Sequence, residues 1–491
     1  MRRALTLTLL VAAAGCTTIP QKTVSKAVAP TPSQPWTPPE AGQMPAAPPT
    51  PPVEIPQEYM KPGTTLSLGQ LVDVGLRNNP ATREAWFAAR AQAAEVGSKQ
   101  SLYYPYAEID GVVLREKQPA TNVGGIFSVL QTTYGPSVAA SWLLFNFGGR
   151  EADVQEAART LFAADWEHNA AIQDVVLTIA QAYYQYLNGK AQVAALGASL
   201  DEAKKNLDVA EERHRAGVAT IADVLQARTQ VSQVQLNLQT AQGQVQIIRG
   251  ALATALGVPA TVPVDVGELP EELPLDAVKR GVDELIEKAK AERPDLAAIR
   301  FRALAAESHI HAAAIDGLPS LTLDATGNRT FYSRPGPDPF STNWAAALTL
   351  RIPVFRGFDT AYQAQKAKEE AEGAKATAER TEDQVILDVW SSYYAVQTAS
   401  QRVTTARDLL ASASQSAEVA LGRYRAGVGS ILDLLTAQSS LADARSEEAQ
   451  ARSLWFLSVA QLAHATGVLQ PGSPEIRALP QPSQPTKGTA P

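Results

Sequence analysis

The sequence predicts a mainly α-helical chain with a small membrane β part, in which long helices and four strands form one unit written twice. Three observations carry this. Residues 213–225 (RHRAGVATIADVL) recur as 423–435 (RYRAGVGSILDLL), with eight of thirteen positions identical at an offset of 210. Two stretches lack proline, 122 residues between Pro136 and Pro259 and 117 between Pro353 and Pro471. Outside the helical stretches lie segments that alternate apolar and polar residues, as strands do.

The duplication covers nearly the whole body. The same offset aligns Tyr183 with Tyr393, Tyr184 with Tyr394, Phe145 with Phe355 and Gly257 with Gly467. Upstream the offset is 214, pairing Leu71 with Leu285, Pro80 with Pro294 and Pro105 with Pro319. A unit of about 200 residues is too long for a solenoid repeat, so the chain holds a pseudo-two-fold or pseudo-rotational pair.

The N-terminus reads as an export signal. Arg2 and Arg3 precede a short apolar run, Leu5 to Ala14. The lone cysteine, Cys16, follows Ala13-Ala14-Gly15 like a bacterial lipobox, although Ala13 stands where leucine is usual. Cys16 is then the acylated first residue of the mature chain; ordinary cleavage after Ala14 is the alternative. Thr17 is compatible with sorting to the outer membrane. One cysteine excludes an intrachain disulfide. Twelve prolines fall in 27–62, a composition that favours extended polyproline II and suits a tether. The expected organisation is a signal peptide 1–15, a tether 16–65, a first repeat 66–260 with a β-hairpin at about 103–147, a linker 261–277, a second repeat 278–470 with a hairpin at about 319–355, and a disordered tail 471–491.

The proline-free stretches are rich in helix formers. Each breaks once, at Ala216-Gly217 and at Ala426-Gly427, where glycine suits a left-handed helix C-cap. Thr220 and Ser430 then suit N-caps, and Asp223 and Asp433 fall at N3. The first arm, 150–215, is roughly 100 Å long at about 1.5 Å per residue. Helices of that length belong in coiled coils or tubular bundles. The second arm, 221–256, is shorter, and helices at 66–100 and 278–316 make up the length.

The strands expected are 106–114 and 321–328, returning at 137–145 and 345–353. Their length suits crossing an outer membrane at a tilt, and aromatic residues such as Tyr103, Trp142, Phe145, Trp344 and Phe355 cluster near their ends. Two exposed hairpins on a soluble helical protein are the alternative. Four strands cannot close a barrel, and an open edge is not tolerated in lipid. If the chain spans, it must oligomerise; three copies supply twelve strands and twelve helical columns.

With the duplicated helix–hairpin–helix unit, the strand exits 142–148 (WLLFNFG) and 353–357 (PVFRG), and two RAGV turns, the chain resembles the TolC-like outer membrane factors, in their lipidated branch. The resemblance covers about 66–470. It implies a homotrimeric channel-tunnel in outer membrane lipid, closing as a 12-stranded barrel and reaching across the periplasm to an adaptor and an inner-membrane pump, proton-driven or ATP-driven. It places adaptor-contact tips at Gly217, Val218, Ala219 and Thr220 and at Gly427, Val428, Gly429 and Ser430. It places a periplasmic constriction at Asp223, Tyr424, Leu432 and Asp433. A family pattern has arginine where this chain has Gly429 and an acidic residue where it has Thr436, so a tyrosine–arginine–aspartate latch is absent or rebuilt. Helix capping alone is the other reading of the tips and of both aspartates.

No enzymatic constellation stands out, and no cofactor is implied. Of the histidines, only His309 and His311 are close, and i,i+2 residues on a helix point apart, so no metal site is expected. The net charge of −7 and the lack of a basic block argue against nucleic acid. The function expected is a passive exit duct for small-molecule efflux. A type I protein secretion outlet and a non-conducting coiled-coil lipoprotein scaffold remain as alternatives.

Overall fold

The computed structural model describes residues 55, 56, 59, 64–122, 125–270, 273–275, 280–333 and 340–469. The signal, Cys16, most of the tether and the tail lie outside the described residues. In chain order the first repeat holds α1 (Leu68–Asn78), α2 (Pro80–Gln100), β1 (Tyr106–Asn122), β2 (Gly125–Phe145), α3 (Gly149–Arg215) and α4 (Ile221–Ala255). The second holds α5 (Val282–Glu292), α6 (Pro294–Ile315), β3 (Ser320–Tyr332), β4 (Phe340–Arg351), α7 (Asp359–Arg425) and α8 (Ile431–Ala465).

The helical hairpins match the sequence reading closely. α3 and α7 are each 67 residues, and α4 and α8 each 35. α3 packs along α2 and α4, and α7 packs along α6 and α8, so each long column lies beside two shorter ones.

The expected single helices over 66–100 and 278–316 are each two. Pro80 and Pro294 open α2 and α6, and the residue before each is extended, Asn79 at ψ 126° and Arg293 at ψ 119°. Proline has no N–H to continue the ladder and pushes its predecessor out of the helical region. Asn79 accepts from the Ala81 amide at 2.9 Å and donates to the Ala255 carbonyl at 3.0 Å, tying the break to the end of α4. Gly257 lies against it: a Cβ there would meet the Asn78 carbonyl oxygen at 2.7 Å. Gly467 meets the other break in the same way, 2.9 Å from the Glu292 carbonyl. These two repeat-related glycines are therefore close-approach positions.

The largest core sits at this level. Leu71, Ile179, Leu187, Leu252, Trp455 and Phe456 are all fully buried in it. Burial holds the Tyr183 hydroxyl up to about 12. In the second repeat Arg293 spans the α5–α6 break, with bonds to both Asp295 oxygens (2.9 and 2.8 Å) and to Asp388 on α7 (2.8 Å).

The four strands form one antiparallel sheet in the order β1-β2-β3-β4. β1 and β2 run 17 and 21 residues, longer than the segments read from alternation, because the register continues to Asn122 opposite Gly125. Both chain exits from the sheet use two successive left-handed residues. These are Phe147 and Gly148 in one repeat and Gly357 and Phe358 in the other, with glycine and phenylalanine exchanged.

Candidate functional site

Two regions can act on something outside the chain: the sheet at one end of α3 and α7, and the hairpin turns at the other.

The register sorts the sheet into two faces. Ile109, Val138, Gly327 and Trp344 form one cross-strand row, and Val113 with Tyr134, Phe331 and Phe340 another, all on one face. The opposite face carries Asp110, Ser137, Asn328 and Asn343 in one row, and Ser141 with Asp324 in the next. Ser141 donates to Asp324 at 2.7 Å. The apolar face is bare: Ile109 is 79% and Trp344 82% exposed. Aromatic side chains mark its two ends. Tyr134 stacks on Phe331 toward the hairpin loops, while Trp142, Phe145 and Phe147 lie at the helical end, where the Trp142 indole donates to the Tyr103 carbonyl. Leu321 and Phe331 are ten residues apart on β3, about 34 Å along the strand. At a tilt of about 40° this covers roughly the 25 Å apolar band of an outer membrane. β1 and β4 are each paired on one side only.

At the other end, both turns are Schellman caps feeding capping boxes. Gly217 (φ 73°) and Gly427 (φ 77°) take the left-handed position. Val218 N donates to the Arg213 carbonyl and Gly217 N to the His214 carbonyl; Val428 and Gly427 do the same to Arg423 and Tyr424. Thr220 and Ser430 accept from the amides of Asp223 and Asp433, whose carboxylates accept in return from the cap amides. Both aspartates are therefore caps. Gly429 has no left-handed φ; it is small because Arg423 lies beneath it, and a Cβ there would meet the Arg423 Cβ at 3.0 Å.

The four expected constriction residues divide into two pairs. Tyr424 is buried at 2% exposure, and its hydroxyl is raised by that burial and then by the Asp223 charge, against an opposing pull from Arg213. Leu432 and Asp433 instead line a groove on the far side of the α7–α8 hairpin, together with Val419 and Arg423. The residue that the sequence reading missed is Arg213. It donates to the carbonyls of Tyr424 (2.5 Å) and Arg425 (3.1 Å), and its guanidinium lies 4.8 Å over the Tyr424 ring. The signal was present, since arginine opens the RxRAGV motif in both repeats.

The sequence model of the family described as outer membrane efflux protein matches residues 71–258 and 285–468, one copy per repeat. The chain belongs to that family. Among the relatives, Protein CyaE of Bordetella pertussis is 27% identical over 384 residues, 77% of this chain and 79% of its own length. Outer membrane protein OprJ of Pseudomonas aeruginosa is 26% identical over 76% of this chain and 78% of its own length. The fold is that of the outer-membrane channel OprN (TM-score 0.73, 21% identity, 82% of this chain and 89% of that one). It is also that of VceC from Vibrio cholerae (TM-score 0.71, 21% identity, 84% and 97%). This efflux-family chain is thus an outer membrane component. No helix among the described residues is long and apolar enough to cross a membrane. No group of three or more potential metal-ligating acids, histidines and cysteines is gathered among them.

Proposed function

We propose that three copies of this chain close head-to-tail into the outer membrane exit duct of a tripartite efflux pump, conducting small molecules passively outward. The observation that carries this is the four-stranded sheet with one apolar face, one polar face and two unpaired edges. In hydrocarbon an open edge leaves a row of unsatisfied N–H and C=O groups, each costing several kcal/mol. β4 of one copy pairing with β1 of the next removes both edges, turns the apolar face to lipid and the polar face to a lumen. The efflux-pump names of relatives such as TtgC of Pseudomonas putida support the same reading.

At the far end, the turns Gly217–Thr220 and Gly427–Ser430 are the surfaces offered to a periplasmic adaptor, which in turn engages an inner-membrane pump. Glycines there let a partner backbone come close. Leu432 and Asp433 face the groove rather than the chain's own core, so in a threefold ring Asp433 favours cations and Leu432 narrows the passage. Cys16 anchors the mature chain through its acyl group.

The test is the protein mass of the detergent-solubilised particle by light scattering with the detergent subtracted, followed by conductance in a planar bilayer. Three chains per particle and ion conduction are expected. A stable single chain removes the barrel, and with it the duct.

A further inference from the structure

One end of this molecule contains a filled socket and an empty copy of it. In the filled socket Arg213 reaches across to the second repeat and holds the carbonyls of Tyr424 and Arg425. Around it Tyr424, Ile431 and Leu434 form a buried knob packed against Val209. At the offset of 210, Arg213 corresponds to Arg423, Val209 to Val419, Tyr424 to His214 and Ile431 to Ile221. Val419 and Ile221 are each 56% exposed. Arg423 lines a groove of about 720 Å³ with Val419, Leu432 and Asp433. Among the described residues its side chain has no hydrogen-bond or ion-pair partner and lies over no aromatic ring.

In a three-copy ring of six similar repeats, the second repeat of one copy meets the first repeat of the next. A contact of this head-to-tail kind closes when the rotation closes. The free knob, His214 and Ile221, then seats on the Val419 and Arg423 side of the free groove, leaving Leu432 and Asp433 at its other side toward the passage.

We propose that Arg423 is an intersubunit clamp, seated on the carbonyls of His214 and Arg215 at the C-terminal end of α3 in the next copy of this chain. The inference rests on the three-copy reading above. A helix C-terminus presents carbonyls with a lone pair to spare even where a cap amide already donates to one, and the negative end of its dipole; a planar guanidinium can bridge two of them. Arg213 shows that this chain uses that device at the equivalent place. The copy differs in one respect that matters for strength. Within the chain the clamp is backed by a bidentate pair, Arg445 to Glu202 at 3.1 and 2.9 Å. Their counterparts are Gln235 and Ser412, which carry no charge. The ring under the guanidinium also changes from Tyr424 to the less electron-rich His214. The tip seam between copies therefore depends on Arg423 more than the internal seam depends on Arg213.

The experiment uses the full chain in a Cys16→Ser background, so that only introduced thiols react. Arg423→Cys is combined with His214→Cys and treated with a short bis-maleimide. Bands of two and three linked chains are expected from the double variant and neither single one. The control pair, Arg213→Cys with Tyr424→Cys, should link within one chain. A particle that scatters as three chains yet yields no ladder overturns the clamp while leaving the trimer. A particle of one chain overturns both. As a second readout, Arg423→Ala should raise bilayer conductance and Arg423→Lys should return it part of the way; unchanged conductance in the alanine variant counts against the clamp.

Discussion

α3 and α7 have the same length, end in the same motif and pack between shorter helices, yet α3 buries 21 of its residues and α7 only 11. The difference lies on one face. Ala152, Ala180, Tyr184 and Ser199 of α3 are at most 9% exposed, whereas their counterparts Tyr362, Trp390, Tyr394 and Leu409 of α7 are 43–72% exposed. α3 is covered on that face by α6 and α8 of the second repeat. Tyr184 stacks on Phe456 at 5.1 Å, and Ser453 donates to its carbonyl. Two helices of one design thus have different surroundings, because a single chain supplies a second repeat for the first but no third repeat for the second. Large aromatic residues left bare at positions that are buried in the twin mark an association face.

The largest expected effect separates those faces. Tyr184→Ala should cost the chain about 3–5 kcal/mol, since it empties a packed site. Tyr394→Ala should change the folding of the single chain by less than about 0.5 kcal/mol while weakening assembly. Chemical unfolding followed by light scattering checks this, and equal destabilisation by both variants would break the comparison. Next is conductance. Asp433→Ala should raise it and reduce cation preference, whereas Asp223→Ala, whose carboxylate is a cap beside buried Tyr424, should chiefly cost about 1 kcal/mol of stability. Planar-bilayer recordings with thermal melts distinguish the two, and identical conductance changes would argue against a special role for the groove.

A smaller effect comes from the seams. Arg445→Ala should remove about 1 kcal/mol or less, because the pair is partly exposed. Adding the pair where it is missing, Gln235→Arg with Ser412→Glu, should raise the denaturant midpoint for dissociation; no rise would show that the two seams are not related by the repeat. The smallest effect concerns pH. Burial alone would raise the Asp295 carboxyl, but the Arg293 hydrogen bonds and charge outweigh it and hold it below the usual carboxylate range. A depressed folded value stabilises the chain above the ordinary carboxylate pKa, and that contribution fades as pH falls through the folded value. Asp295→Asn should therefore flatten the acid limb of a melting-temperature profile. Its counterpart in the first repeat, Asp295 minus 214, is Ala81, which contributes no such limb.

The helical hairpins were readable from the chain because their signals are local. Proline exclusion set the extents, and Gly217, Thr220 and Asp223 terminate one helix and start the next through their own backbone bonds. The breaks at Asn79 and Arg293 were missed, one continuous helix being expected across each, although their signal, Pro80 and Pro294, is equally local. The length of β1 was harder to see. Residues 115–122 (REKQPATN) do not alternate cleanly, and they extend as a strand only because β2 lies opposite. At the tip the sequence named Tyr424, Asp223, Leu432 and Asp433 together, but not that Tyr424 is buried with Asp223 beside it while Leu432 and Asp433 line an open groove.

Composition, periodicity and repetition were thus enough for the element types, their order and the duplication, since each depends on backbone propensities and on neighbours within a few residues. Folding in three dimensions settled which copy of each duplicated face is covered. Burial depends on residues more than a hundred positions away, and the same side chain is core in one repeat and surface in the other, according to what lies against it.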